Sequence, residues 1–313
     1  ALNSYHLMPY MDLPLRGLPF LLKQIGYTTA WIESGYTSFG GTRPFLETRG
    51  FDEIIGAEEI GEAGQSWGVY DASTFRKAAH WLERQAGPAF ASILTLTNHH
   101  PWISPPGWSF EPPRNLPSLY QRYVQTFAYT DACLGAFIEE LRERHLLEKT
   151  ILFITGDHGQ QEQTEAVSLS QENMHVPLLI YAPGRLAQKT IHTPCSHLDL
   201  YSTLIDLLQI QEMHHGMGKS LLRDTSSPLY FSMPGTVHAQ GCRSGAYKWT
   251  SAGLYDLEKD PGETKNVAEQ LPQLKEELQK QTETYFATVE TLYQQRAFAP
   301  EQRMHASILT APE

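Results

Sequence analysis

The residues best equipped for chemistry stand in two short runs. The first is Thr155-Gly156-Asp157-His158-Gly159, directly after the apolar stretch Ile151-Leu152-Phe153-Ile154. An aspartate supplies a hard anionic oxygen and a histidine a borderline imidazole nitrogen, a donor mix that suits Zn²⁺ or Mn²⁺ better than Mg²⁺. The flanking glycines let the backbone turn, so that successive side chains, opposed on a regular strand, can both reach one ion. The plain alternative is a turn in which Asp157 caps a helix and His158 is solvated. The second run is Thr97-Asn98-His99-His100-Pro101-Trp102. A histidine such as His99 at a strand end can donate to a phosphoryl group, ligate a metal or carry a proton; the plain alternative is a loop histidine packed on Trp102. His175, just before Val176-Pro177, equally suits a capping or core-edge role.

In a parallel sheet, loops beyond the carboxyl ends of the strands collect the reactive groups. The pattern supplies such strands. Leu18–Ile25 reads as a helix closed by Gly26, followed by a strand, Tyr27–Ile32, and a polar loop, Glu33–Thr42. Thr74–Arg84 is a helix with Phe75, Ala78, Ala79 and Leu82 on one stripe. Ala89–Thr97 is almost wholly apolar, as in a strand covered on both faces. After the Pro-rich stretch Pro105–Pro117, the spacing of Tyr123, Phe127, Leu134, Phe137, Ile138 and Leu141 predicts a long helix over Ser118–Leu147. Thr150–Thr155 and Val176–Tyr181 are strands, and Leu198–Leu208 is a helix behind a Ser196 cap. Beyond Gly216 come short β-like pieces, Leu229–Ser232, Ala246–Thr250 and Leu254–Asp256. A turn at Asp260-Pro261-Gly262 and a helix over Pro272–Leu292 follow. Strands alternating with helices imply an α/β fold with a mostly parallel sheet.

The chain has 313 residues, is 41% hydrophobic and 19% charged, and carries a formal net charge of -11. That composition is globular, and excludes disorder, collagen and coiled coil as global descriptions. The acidic balance and the lack of a Lys/Arg-rich run argue against nucleic acid as a partner. No stretch approaches the roughly 18 apolar residues of a membrane helix, and no signal-peptide pattern opens the sequence. The three cysteines, Cys133, Cys195 and Cys242, form no disulfide framework; at most one bridge can form, Cys195–Cys242 being the least implausible pair.

The order of segments is specific. Gly26-Tyr27-Thr28, Gly50-Phe51-Asp52, LTLTNHHPW, YTDACLGAFIEEL, TILFITGDHG, HVPLLIYAPG and HLDLYSTLIDLL follow one another, and LYDLEKDPGETKN closes the series. From about Leu15 to Asn266 this resembles the sulfatase/alkaline phosphatase superfamily, most of all its lipoteichoic acid synthase and phosphoglycerol transferase branch. The resemblance implies a sheet with helices on both faces and a small C-terminal α+β subdomain. The expected division is 1–216 for the catalytic domain, 217–296 for the subdomain and 297–313 for an irregular tail. The resemblance makes Asp157 and His158 a metal-ligand pair for one divalent ion, Mn or Zn rather than Mg or Ca. It matches His99 to a histidine that contacts the phosphoryl group or, in some branches, a second zinc, and His175 to the histidine before the Val-Pro strand. Arg43 becomes an anion clamp, since a guanidinium matches phosphate geometry, with an ordinary surface arginine as the alternative. The family's acidic first-strand ligand and its nucleophile match nothing in residues 1–313, and are expected upstream of Ala1. The reaction implied is phosphoglycerol or phosphoethanolamine transfer, or phosphodiester hydrolysis, on phospholipid head groups through a covalent phospho-threonine. The implied setting is extracytoplasmic, periplasmic or on the outer face of the membrane, anchored by upstream transmembrane helices. The rival expectations are a sulfatase or phosphonate monoester hydrolase, and a non-catalytic binding module of the same fold. His192, His197, His214, His215 and His238 receive no role.

Overall fold

The computed structural model describes residues 11–62, 64–159, 169–210, 217–223, 228–233 and 239–296. The expected tail and His214, His215 and His238 lie outside the described residues.

The chain enters through α1 (Leu18–Gln24), which Pro19 starts. Gly26 ends it at φ 88°, with its N–H on the Lys23 carbonyl. Strand β1 (Thr28–Glu33) is the centre of a parallel sheet. On one side it pairs with β2 (Glu53–Ile55), Ala30 opposite Glu53. On the other it pairs with β5 (Ala89–Leu94), Thr28 opposite Ala89 through Glu33 opposite Leu94. The connections carry α2 (Thr42–Glu47), α3 (Ala57–Ile60), a small hairpin of β3 (Gly64–Gln65) and β4 (Gly68–Val69), and α4 (Asp71–Glu83). The long α5 (Ser118–Glu143) packs on α4, with Phe75 and Phe137 stacked at 5.0 Å. Ala30 and Ile32 of β1, Ala78 and Trp81 of α4, and Leu141 of α5 are all 0% exposed in this core. Each large apolar side chain removed from water there contributes about 1.5–3 kcal/mol. Trp81 keeps its one donor satisfied on Glu53 Oε1 at 2.8 Å.

Strand β6 (Leu152–Thr155) pairs with β7 (Leu178–Tyr181), Leu152 opposite Tyr181. This pair is antiparallel, whereas the alternation of strands and helices had pointed to parallel neighbours. Between them α6 (Gln171–Met174) is capped by the Ser170 hydroxyl. Helix α7 (His197–Leu207) starts on the expected Ser196, whose N–H donates to Asp199 Oδ2 at 2.7 Å in a capping box. Last come β8 (Leu229–Met233), β9 (Ala239–Ser244), β10 (Tyr247–Thr250) and β11 (Gly253–Asp256), an antiparallel sheet in the order β11-β10-β9-β8. Helix α8 (Pro272–Gln294) covers it over a second core of Cys242, Leu254 and Leu278.

Two expected boundaries move for identifiable reasons. The strand expected over Ala89–Thr97 stops at Leu94 because the N–H groups of Leu96 and Thr97 turn to Asp71 Oδ1, at 2.8 and 3.0 Å. The helix expected to run to Leu147 stops at Glu143, and His145 takes a left-handed backbone at φ 54°. The Cys195–Cys242 bridge does not form: all three cysteines are free. Cys242 is buried beneath α8, its Sγ 3.5 Å from the Leu278 carbonyl. Among the described residues no helix is long and apolar enough to cross a membrane.

Candidate functional site

The carboxyl ends of β1 and β5 are tied together by one buried carboxylate. Asp71, 0% exposed at the first turn of α4, accepts from Leu96 N, Thr97 N and Ser34 Oγ on Oδ1 and from Thr130 Oγ1 on Oδ2, over 2.7–3.2 Å. Its own N–H donates to Thr97 Oγ1 at 3.0 Å. One residue pair further, the Thr126 hydroxyl of α5 donates to Asn98 Oδ1 at 2.8 Å. The loop that follows therefore leaves the sheet in a fixed direction, carrying His99.

His99 is exposed. Its Nδ1 lies 2.6 Å from the His100 carbonyl. A carbonyl only accepts, so Nδ1 carries a proton and Nε2 is the nitrogen left to face outward. The ring sits 5.3 Å from Trp67 at the turn of the small hairpin, and Trp67 in turn meets Phe39 at 5.9 Å. It is His100, not His99, that packs edge-on to buried Trp102, at 5.0 Å. The expected packing thus falls on the neighbour and leaves His99 with an aromatic wall on one side.

Arg43 lies in the first turn of α2, its N–H on the Thr37 carbonyl at 2.9 Å. Its guanidinium is paired with Glu59 Oε1 at 2.5 Å and reaches the Ile54 carbonyl at 3.4 Å. An anion arriving there would meet a guanidinium already shared with a carboxylate. The loop before it is held by Glu58, which accepts from the N–H groups of Thr37 and Ser38 at 3.2 and 3.1 Å. Burial raises the Glu58 carboxyl, but these backbone donors outweigh it and hold the group below its ordinary value.

Glu33, which ends β1, is a charged residue that sequence reasoning passed over. It is 5% exposed and accepts from Trp31 Nε1 at 2.8 Å. Burial pushes its carboxyl up, the indole N–H pulls it back, and nearby Glu58 pushes it up further. The available signal was a carboxylate closing an otherwise apolar strand.

The second group stands at the end of β6. Asp157 and His158 expose 70% and 61% of their side chains. Asp157 Oδ1 accepts from the His158 N–H at 2.9 Å. His158 Nδ1 lies 2.8 Å from the Gly159 carbonyl, so Nδ1 donates there, and the other ring nitrogen, Nε2, lies 3.4 Å from Asp157 Oδ2. That separation is close to the edge of a tetrahedron with metal–ligand bonds of about 2.1 Å. The pair fits one divalent ion, and the backbone carbonyl behind the imidazole fixes its tautomer as a supporting partner should. The two side chains are two of the four or more donors such an ion takes. Among the described residues no cluster of three or more His, Cys, Asp or Glu gathers around one point.

Two helices bracket this turn. The Gly159 N–H donates to the Asn173 carbonyl of α6 at 2.9 Å. His197, in the first turn of α7, places Nε2 2.8 Å from the Gly156 carbonyl, so that nitrogen carries a proton and donates it. This contact spans 41 residues, and no local pattern announces it. His175 closes α6, its N–H on the Gln171 carbonyl at 2.8 Å, with an exposed side chain. The five expected residues thus fall into two sets: His99 with Arg43 beyond the parallel sheet, and Asp157, His158 and His175 beyond β6.

A family model described as Sulfatase matches residues 3–210. Arylsulfatase K of Gallus gallus is 28% identical over 254 residues, 70% of this chain and 47% of that protein. Lipoteichoic acid synthase of Staphylococcus saprophyticus is 30% identical over 152 residues, 47% of this chain and 24% of that protein. Among solved structures, the lipoteichoic acid synthase LtaP from Listeria monocytogenes superposes with a TM-score of 0.70 at 18% identity, covering 93% of this chain and 76% of that one. The chain spans less than half the length of these two curated relatives.

Proposed function

Because the chain belongs to the sulfatase family, we propose that it carries part of the catalytic site of a metal-dependent enzyme that cleaves or transfers phosphodiester head groups, of the phosphoglycerol or phosphoethanolamine type. The observation that carries this reading is the Asp157–His158 pair, with Oδ2 and Nε2 3.4 Å apart and the imidazole tautomer set by the Gly159 carbonyl. Asp157 and His158 would hold a divalent ion, Mn²⁺ or Zn²⁺, whose bound state lowers the pKa of a hydroxyl and polarises a phosphoryl oxygen.

The rest of the chemistry falls to side chains. His99, with Nδ1 held by a carbonyl, is oriented to accept a hydrogen bond or proton at Nε2, and as an imidazolium to donate to a phosphoryl oxygen or a leaving oxygen. Arg43 stands ready to share its guanidinium between Glu59 and an anion. The attacking threonine hydroxyl lies outside this sequence in this reading. Thr28 and Thr29 belong to β1, and Thr29 is 0% exposed with its hydroxyl spent on the Gly50 carbonyl and Asp52. The head group's membrane location and an extracytoplasmic site of action are part of the same proposal, supported by the lipoteichoic acid synthase similarity.

The test is hydrolysis by the intact protein of bis-p-nitrophenyl phosphate against p-nitrophenyl sulfate, with and without Mn²⁺. Phosphodiester cleavage that needs the ion, and that falls about a hundredfold or more in Asp157→Ala with the fold unchanged, is expected. Cleavage of the sulfate ester alone would favour the sulfatase reading, which the arylsulfatase K similarity over 70% of the chain supports. A fully active Asp157→Ala would remove the catalytic assignment.

A further inference from the structure

An ammonium group is taken out of water at a cost that only a close counter-charge and further hydrogen bonds offset. Lys248, in the middle of β10, is such a group: its side chain is 2% exposed. Its Nζ meets Glu263 Oε1 at 2.5 Å, and Glu263 is itself only 10% exposed. Burial pulls the ammonium down from its ordinary range, and the facing carboxylate pulls it back. The Phe231 ring of β8 lies beneath, its centroid 5.4 Å from Nζ. Glu263 is held by a tight turn, its N–H on the Asp260 carbonyl and its backbone left-handed at φ 54°.

The pair does not end in itself. Lys248 Nζ also donates to the Leu169 carbonyl, and Glu263 Oε2 accepts the Gln171 N–H at 2.6 Å. Both targets are backbone groups of the segment that opens α6. The carbonyl needs a donor and the N–H an acceptor, so no apolar pair could make both contacts. From there the connection to the candidate metal turn is short. Asn173, two residues on, accepts the Gly159 N–H at 2.9 Å. Val176 closes on Gly156 so tightly that a Cβ on that glycine would stand 3.1 Å from Val176 Cγ1. Gly156 and Gly159 are the two residues that flank Asp157-His158.

We infer that the Lys248–Glu263 pair is a positioning latch. It pins the 169–176 segment to the C-terminal sheet, and through Asn173 and Val176 it holds the Asp157–His158 turn in the shape that converges on one ion. Neither residue touches substrate or metal. The C-terminal sheet thereby becomes part of the site's supporting frame. The metal half of this inference rests on the reading of Asp157 and His158 given above; the clamp on the segment does not.

Hydrogen exchange and Mn²⁺ titration of the intact protein test it, with Lys248→Met, Glu263→Gln and the double variant Lys248→Met/Glu263→Leu. In each variant the amides of 157–159 and 169–176 should exchange faster while those of β1 and α4 keep their rates. The Mn²⁺ dissociation constant should rise about tenfold or more, as for loss of an outer-shell support. The double variant leaves no buried charge without its partner, so it should melt higher than either single variant yet keep the fast exchange and the weak binding. Unchanged exchange of these two segments in a folded variant would overturn the latch. So would acceleration shared equally by every segment, since that marks a purely structural pair. Should the parent protein bind no Mn²⁺ while the two segments still loosen in the variants, the latch stands and the metal reading of Asp157 and His158 falls.

Discussion

Glu33 and His197 show what single residues hide. Asp157, His158 and His99 stand out in the sequence because their types are unusual at the end of an apolar run, whereas which nitrogen of each histidine is engaged by the backbone comes only from the fold. Glu33 looked like an ordinary strand-end charge, and its meaning depends on burial that no local pattern records. It is 5% exposed, and burial raises its carboxyl above the ordinary value. Such a group binds its proton more tightly folded than unfolded, so its contribution to stability is fully present below the unfolded pKa and is lost as pH rises through the folded one. Above the ordinary glutamate range Glu33 therefore becomes a liability. Glu33→Gln keeps an acceptor for Trp31 Nε1, at 2.8 Å in the parent, and removes the charge. Its melting temperature should exceed the parent's at pH 7, and the gap should close as pH falls below the ordinary glutamate range. Melts between pH 4 and 8 check this, and a gap of constant size would show that Glu33 is not the titrating group.

At the level of elements, helices were easier to read than strands. The apolar spacing of α5, the Ser196 box of α7 and the Gly26 stop of α1 are local signals, each backed by a local physical cause. Strand β2 has three residues and β3 and β4 two each, too few for alternation to appear. Nor does a sequence say which way a strand runs, which is why the antiparallel β6–β7 pairing was not foreseen. The hairpin shows how much such a short piece can matter. Gly68 runs at φ 154°, and a Cβ there would stand 1.9 Å from the Ser34 carbonyl, so only glycine lets the hairpin lie on the end of β1 and bring Trp67 to His99. Asp71 performs the matching task from the other side. It accepts four hydrogen bonds at 0% exposure, and Asp71→Ala leaves Ser34 Oγ, Leu96 N, Thr97 N and Thr130 Oγ1 to find other partners. The expected loss is about 3 kcal/mol or more, read from the urea midpoint, because each buried group left unpaired costs about 1–3 kcal/mol. The fluorescence of Trp102, buried in the loop that Asp71 directs, should shift red in the native baseline. A variant within about 0.5 kcal/mol of the parent would mean that water replaces the carboxylate without strain.

For the molecule as a whole, the question is whether its two cores open together. One lies between the parallel sheet and helices α4 and α5, around Trp81, Ile32 and Phe137; the other lies under α8, around Cys242, Leu254 and Leu278. Among the described residues two hydrogen bonds tie the C-terminal sheet to the segment that opens α6, Lys248 to Leu169 and Gln171 to Glu263. Apolar burial dominates cooperativity, and two hydrogen bonds to charged groups contribute about 1.5–3 kcal/mol each in net terms, less than a buried apolar interface would. The C-terminal sheet should therefore open by itself at a lower free energy than the parallel sheet. Leu278, 1% exposed, is the residue to remove. Leu278→Ala deletes the side chain that α8 buries against Cys242 and Leu254, a change that costs about 2–5 kcal/mol depending on how far the cavity collapses. If the second core opens separately, exchange of β9, β10, β11 and α8 should accelerate by the full amount while β1, β5 and α4 stay at parent rates. Equal acceleration in all of them would mean that the polar ties are enough to make one cooperative unit, and that the C-terminal sheet is as integral to the fold as β1 itself.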